Sequence, residues 1–362
     1  MACSAACALI GSHSGHVACV DLAGGACVWR VVLPTRIEAG VALTSDGRVA
    51  AVGGHDGRMH GLCAATGARL WATTFRGPIK AAACCLARRD GGAIIGACFG
   101  GLLCALAETT GRRLWTERLG APVFATPRAD EIRRRLVVAD LRGRVHCYAY
   151  DGGDGTFAAA PLWQFATTPR VPPHAGCEPI FSTPALCAAT GAIYFGATDG
   201  LLYALGADGQ LTWRHDAGGA IFAAPALATI ECERGGRLSV VYLTAQRGLG
   251  GAAVHCVDAA RGARVWEVDA PVHGHSAPAV DTAAGQRDTC HGVEAAAYVA
   301  RTVCVGGTDG SVHCLRASDG ARLAEVGLGA PVFSSPVVCA SRVVVGCRDD
   351  ALHCLELRAD SE

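Results

Sequence analysis

Three groups of residues in this sequence are of types that do chemistry. The first is a recurring pair: His146-Cys147, His255-Cys256, His313-Cys314 and His353-Cys354, with His60-Gly61, Tyr203-Ala204 and Cys104-Ala105 at the matching place in related segments. Imidazole and thiolate are zinc ligands, but a structural zinc needs four of them converging on one point. Each pair sits in a separate segment, and on a strand its two side chains leave by opposite faces. The pairs therefore read as core residues. There is no CxxC…CxxC spacing to argue otherwise. The second group is Cys84-Cys85, adjacent cysteines that can close a strained disulfide; in their alanine-rich run they read as small apolar residues. The third is a substitution within a register. Phe124, Phe181, Phe222 and Phe333 share a position that becomes Glu38, Lys80 and His275 elsewhere. If that position lies on innermost strands beside a channel, these three form a candidate site for a polar ligand such as a small acid. The competing reading is that Glu38 and Lys80, in adjacent repeats, pair with each other.

The elements that must position these groups are set by an internal repeat, the first thing to seek in a sequence of this length. All six tryptophans, Trp29, Trp71, Trp115, Trp163, Trp213 and Trp266, fall in one register, each behind a turn glycine as in Gly67-Ala-Arg-Leu-Trp71 and Gly111-Arg-Arg-Leu-Trp115. Gly15–Trp29, Gly57–Trp71 and Gly101–Trp115 are each separated by 14 residues. A seventh copy, Gly310…Gly320-Ala-Arg-Leu-Ala324, keeps the spacing with Ala for Trp, and an eighth, from Gly346 to Leu355, stops short of that position. Within each copy, short apolar runs such as Arg342-Val-Val-Val-Gly346 and Leu352-His-Cys-Leu355 are bounded by Gly and Asp turn signals. Such runs suit strands and are too short for helices. Thr-Asp-Gly at 198–200 and 308–310, and His-Asp-Gly at 55–57, supply hairpin turn chemistry. A period of 40 to 58 residues with four strands per unit predicts an all-β, eight-bladed β-propeller with four-stranded antiparallel blades, seven blades being the alternative.

The expected organisation is a single domain, 1–362, with blades near 1–33, 34–76, 77–119, 120–167, 168–217, 218–270, 271–328 and 329–358, and loop insertions near 151–162, 166–179, 231–237 and 281–297. A second register, Cys19, Gly61, Ala105, Cys147, Ala204, Cys256, Cys314 and Cys354, stays small. It suggests that neighbouring blades approach closely there.

Composition limits the function. The 362 residues hold 32 basic and 32 acidic groups, and the net charge of zero argues against nucleic acid or a membrane surface as an electrostatic partner. No run reaches the length of a membrane span, and the opening Met1-Ala-Cys-Ser-Ala-Ala-Cys lacks the basic start of a secretory leader. With 20 cysteines, a reducing, cytoplasmic setting is expected.

The pattern Gly196-Ala-Thr-Asp-Gly-Leu-Leu-Tyr-Ala-Leu205 followed by Trp213 resembles the pyrroloquinoline-quinone (PQQ) repeat, and the resemblance covers essentially the whole chain. Gly11-Ser-His-Ser14, Arg36-Ile-Glu38, Pro331-Val-Phe-Ser-Ser-Pro-Val-Val338 and Val345-Gly-Cys-Arg-Asp349 are similar to the C-terminal propeller of the beta-alanine-activating enzymes, also called aminoadipate-semialdehyde dehydrogenases of the acyl-CoA synthetase family. The resemblance implies a non-catalytic interaction or regulatory module, with an adenylation domain and a phosphopantetheine carrier domain, or another protein, as partner. Neither domain has a signature in this chain. The alternative is a quinoprotein-type dehydrogenase holding PQQ with calcium. That site needs a ring-stacking tryptophan and carboxylate and amide ligands, whereas the tryptophans are all in the repeat register and the chain contains no asparagine. No cofactor and no metal is therefore expected, and no catalytic residue is assigned. The repeat phase also predicts that the first blade lacks its innermost strand and the last its outermost, so that the chain is part of something larger.

Overall fold

Strand after strand in the computed structural model is short, apolar and closed by a glycine-bearing turn, and the chain folds as an eight-bladed β-propeller. The structure describes all residues except 4–6, 88–90, 152–155, 168–176, 233–234, 249–250, 272–273, 283–298, 340–341 and 358–362. The expected insertions at 151–162, 166–179, 231–237 and 281–297 lie wholly or partly outside the described residues. Among those described, the strands form eight antiparallel sheets in chain order, seven with four strands and the last with three. They span 2–32, 42–74, 84–118, 128–166, 185–216, 226–270, 279–327 and 337–356, and are called sheets 1 to 8. Met1–Pro184 carries sheets 1–4 in one compact unit, and sheets 5–8 belong to a second.

The cores lie between consecutive sheets. Met59, Phe75 and Ile79 pack with Ile94 and Leu102 between sheets 2 and 3. Leu202, Ile221, Val241 and Leu243 do the same between sheets 5 and 6. In sheets 2 and 5 a close approach falls at the glycine that ends the second strand. A Cβ on Gly53 would stand 2.2 Å from Ile79, and one on Gly196 2.1 Å from Ile221, so no larger residue fits there.

That finding corrects the reading of the small register. Gly61, Ala105, Cys147, Ala204 and Cys256 sit directly opposite Trp71, Trp115, Trp163, Trp213 and Trp266 on the outer strand of their own sheet. Bulk is excluded by the indole of the same sheet: a Cβ on Gly61 would lie 2.2 Å from the Trp71 ring. A β-bulge follows directly, between Gly61 and Leu62, Ala105 and Leu106, and Ala204 and Leu205, which re-aims the outer strand beside its tryptophan.

The first sheet also differs from expectation. Ala2–Cys3 forms an innermost strand, with Ala2 opposite Leu9 and Cys3 opposite Ala8. Two residues are too few to show a period of two, so the pattern could not announce it. In sheet 8 the strands are Val337–Cys339, Arg342–Gly346 and Leu352–Glu356, with no outer strand among the described residues.

Candidate functional site

The polar register residues are held ahead of the innermost strands, not on them. Glu38, Lys80, His275 and the four phenylalanines each stand four residues before the first strand of their sheet. In five sheets, including that of His275, the boundary is visible in the sequence: Pro127, Pro184, Pro225, Pro278 and Pro336 immediately precede those strands, and proline has no N–H to give a ladder. The segment is pinned by its backbone instead. The Ile79 amide donates to the Gly54 carbonyl at 3.0 Å, which fixes Lys80 beside the hairpin of sheet 2.

There Glu38 gathers two cations and an imidazole. Arg36 contacts Oε1 at 2.6 Å, while His55 Nε2 and Lys80 Nζ reach Oε2 at 3.0 and 3.4 Å. Burial alone would raise the Glu38 carboxyl, but the hydrogen bond from His55 and the Lys80 and Arg36 charges outweigh it and hold the pKa below its ordinary value. Lys80 also lies over the Phe99 ring, 5.3 Å from its centroid. Glu38 and Lys80 are thus brought together as a pair. His275 belongs to the second unit and stacks on Phe222, centroids 4.4 Å apart. Phe124 and Phe181 meet edge-on at 5.4 Å, and the Arg348 guanidinium sits 4.2 Å from the centre of Phe333. Neither Arg36 nor His55 was singled out from the sequence; both flank Glu38 only once the segment and the sheet 2 hairpin are folded.

The histidines of the His-Cys pairs have local partners. His60 Nε2 meets Asp56 at 3.2 Å, His313 meets Asp309 at 3.0 Å, His353 meets Asp349 at 2.7 Å and, fully buried, His146 meets Asp140 at 3.0 Å. Tyr203 donates its hydroxyl to Asp199 in the same way. The carboxylates come from the hairpin turn: Asp56, Asp309 and Asp349 stand four residues before their histidine, as in Asp56-Gly-Arg-Met-His60, and Asp140 stands six before His146, so the turn aspartates that the sequence offers as hairpin chemistry also hold the imidazoles. The paired thiols face the opposite way, as expected. Burial pushes Cys147 and Cys256 up to about 12, so both are protonated thiols at neutral pH. Cys84 and Cys85 are buried and form no disulfide.

His255 departs from this pattern. It is 1% exposed, neither ring nitrogen has a hydrogen-bond partner, and the nearest carboxylate oxygen, on Glu267, is 3.7 Å from Nδ1. Burial outweighs the pull of Glu267 and, with His215 5.7 Å away centroid to centroid, lowers its pKa to about 4. Glu267 is itself engaged by Arg264 at 2.6 Å and by Arg247, which also holds Asp269 at 2.8 Å.

The tryptophans are structural pins. Trp29, Trp71, Trp213 and Trp266 donate their indole N–H to the carbonyls of Ala64, Glu108, Ala259 and Ala317 in the following sheet, at 2.9, 2.8, 3.2 and 2.9 Å. Trp115 stacks on Phe157 of sheet 4 at 4.8 Å. Residues 1–357 match the family described as "Beta-alanine-activating enzyme, beta-propeller". The chain belongs to that family.

Among its curated relatives are the beta-alanine-activating enzyme of Danio rerio, 34% identical over 105 residues (29% of this chain, 8% of the relative), and that of Drosophila melanogaster, 28% identical over 238 residues (62% of this chain, 22% of the relative). The chain thus spans less than a quarter of either relative. Among solved structures, BamB from Moraxella catarrhalis has a TM-score of 0.73 at 19% identity, covering 100% of this chain and 94% of that one. A europium-containing methanol dehydrogenase has a TM-score of 0.64 at 15% identity, covering 96% and 80%. These likenesses are of fold. The quinone that the repeat resemblance raised does not fit the residues here: Trp29, Trp71, Trp213 and Trp266, which would have to stack on it, lie against turn glycines of neighbouring sheets, as where the Trp71 ring lies 2.6 Å from the Cβ position of Gly111. No helix among the described residues is long and apolar enough to cross a membrane.

Proposed function

We propose that this chain is a non-catalytic interaction module, the propeller component of a beta-alanine-activating type of enzyme, and that it engages its partner by accepting an extended strand on sheet 8. The observation that carries this is the outer edge of Leu352–Glu356. In sheets 1–7 the third strand is covered by a fourth; here, among the described residues, it is not. Cys354, whose counterparts Cys147 and Cys256 are buried beneath an indole, is exposed. A third strand with no fourth beside it offers its outer backbone edge to an incoming strand, the mode of recognition by β-augmentation. Six of the seven complete sheets supply the occupant's chemistry, an extended segment with an aromatic residue over Cys354; sheet 7 has Ala324 there. An adenylation or carrier domain in the same polypeptide, or a separate protein, is the natural source of such a segment.

The Glu38–Lys80 position is a weaker place for a ligand. Its carboxylate already holds Arg36, His55 and Lys80, so an incoming anion has to displace a satisfied ion pair. The test uses a peptide copying the outer strand of sheet 2 with its turn, residues 67–75. It is expected to bind the full chain, and the same peptide with proline at two ladder positions is not. Equal binding of both peptides, or of neither, removes the proposal.

A further inference from the structure

The hairpin of sheet 8 carries a second feature that the interaction reading does not use. Cys347, Asp349 and His353 each bring one ligand atom (thiol sulfur, carboxylate oxygen, imidazole nitrogen) to within 4.8 Å of the others. We propose that these three residues form a surface site for a thiophilic divalent cation of the zinc type.

The repeat itself shows that this placement is built rather than accidental. The histidine position is defined by its ladder partner: His353 faces Val345, His146 faces Val138, His60 faces Val52 and His313 faces Val305. Two residues beyond those partners stand Cys347, Asp140, Gly54 and Gly307. In sheet 4 the side chain from that place, Asp140, reaches the imidazole at 3.0 Å. In sheets 2 and 7 the reach comes instead from the next turn position, Asp56 at 3.2 Å and Asp309 at 3.0 Å. Both hairpin positions therefore converge on the ring nitrogen. Of these four hairpins, only that of sheet 8 has a metal-binding side chain at both, a sulfur from Cys347 and a carboxylate from Asp349.

The chemistry suits a borderline cation. Thiolate, imidazole and carboxylate are all zinc ligands, and three protein ligands leave one coordination position for water. The donors are half-buried or exposed on a hairpin, open to an ion from solvent. At present the Cys347 thiol donates to the Ala330 carbonyl at 3.0 Å, and Asp349 accepts from His353 Nε2, which lowers the Asp349 pKa. Binding exchanges these contacts for metal bonds and releases the thiol proton to solvent. Arg348, the adjacent cation, is drawn aside over Phe333. The one other three-donor group among the described residues, Asp309, His313 and Glu325, is the poorer candidate. It lacks sulfur, and its Glu325 is held by Arg322 at 2.8 Å.

The test is a titration of the full chain with cobalt(II), then zinc. One equivalent of cobalt is expected to produce a thiolate-to-metal charge-transfer absorption that Cys347→Ser and His353→Ala abolish and Cys354→Ser, at the neighbouring exposed thiol, leaves intact. Zinc is expected to raise the thermal midpoint of the wild-type chain and of Cys354→Ser but not of Cys347→Ser, whose metal-free midpoint stays at the wild-type value. Asp349→Asn keeps an oxygen for the Ala351 amide and is expected to fold normally while binding cobalt more weakly. No charge-transfer band, or a band that survives Cys347→Ser, overturns the proposal.

Discussion

Trp71 packs directly onto Gly111 of the next sheet: a Cβ at that glycine would stand 2.6 Å from the indole, whose N–H meanwhile donates to the Glu108 carbonyl at 2.8 Å. Trp29 on Gly67, Trp213 on Gly262 and Trp266 on Gly320 repeat the arrangement. The turn glycine and the tryptophan of successive repeats are therefore one contact, which is why they keep a common register.

A matched pair of glycine substitutions isolates that contact. Gly111 and Gly25 share a positive φ, +68 and +70, but nothing lies within 4 Å of the Cβ position at Gly25. Gly25→Ala bears only the left-handed backbone cost, about 1 kcal/mol. Gly111→Ala adds the clash with Trp71 and is expected to cost about 3 kcal/mol. Urea unfolding of the two variants reads the difference.

The buried Asp140–His146 pair gives a second contrast. Asp140 accepts from the half-buried Arg142 and Arg144 amides as well as from the buried His146. Asp140→Ala leaves those donors unpaired and is expected to cost about 3 kcal/mol. The same change at Asp349, where the pair is open to water, is expected to leave the unfolding midpoint in metal-free buffer essentially unmoved.

Acid sensitivity should trace to His255. Its folded pKa, lowered to about 4, lies below the ordinary 6.5 of an exposed imidazole, so the unfolded chain binds the extra proton. The neutral, buried form stabilises fully above pH 6.5, and that contribution falls as pH drops from 6.5 toward 4, by about 3 kcal/mol in all. Carboxylates held low, such as Glu38, add their own loss below 4.5, a separate window. His255→Gln is expected to flatten the upper window alone when stability is measured by denaturant titration at each pH.

At Glu38, removing a cation should be felt electrostatically more than energetically. Lys80→Ala raises the Glu38 pKa toward its ordinary value and changes stability by less than about 1 kcal/mol, since both side chains are about a quarter exposed. A carboxyl titration by NMR measures the first effect. If small acids bind the chain with the same affinity in a Lys80→Ala, His275→Ala double variant, the reading of Glu38, Lys80 and His275 as a ligand site is removed.

The fold was legible because its signals are periodic: Trp29 through Trp266 mark six sheets at a fixed place, and Gly310 and Gly320 mark the seventh. What escaped was whatever depends on contacts between segments. The small register pointed to Cys147 and Cys256 correctly, but their indole neighbours are in the same sheet, a matter of strand pairing that composition cannot display. Glu38 and Lys80 were recognisable as odd members of a phenylalanine register. Arg36 and His55 were not, because their approach to Glu38 is created by the folded hairpin. The Cys347–Asp349–His353 group is not adjacent in sequence and is brought together only by the folded hairpin of sheet 8.

The central claim, that the uncovered third strand of sheet 8 receives a partner's strand, is tested most directly by hydrogen exchange at the amides of Leu352–Glu356 with and without the peptide copying residues 67–75. The free chain should exchange amides there faster than in Ser311–Arg316, the covered counterpart in sheet 7, and the peptide should slow them to that level. Exchange at Leu352–Glu356 that is already slow without peptide, or that the peptide leaves unchanged, contradicts it.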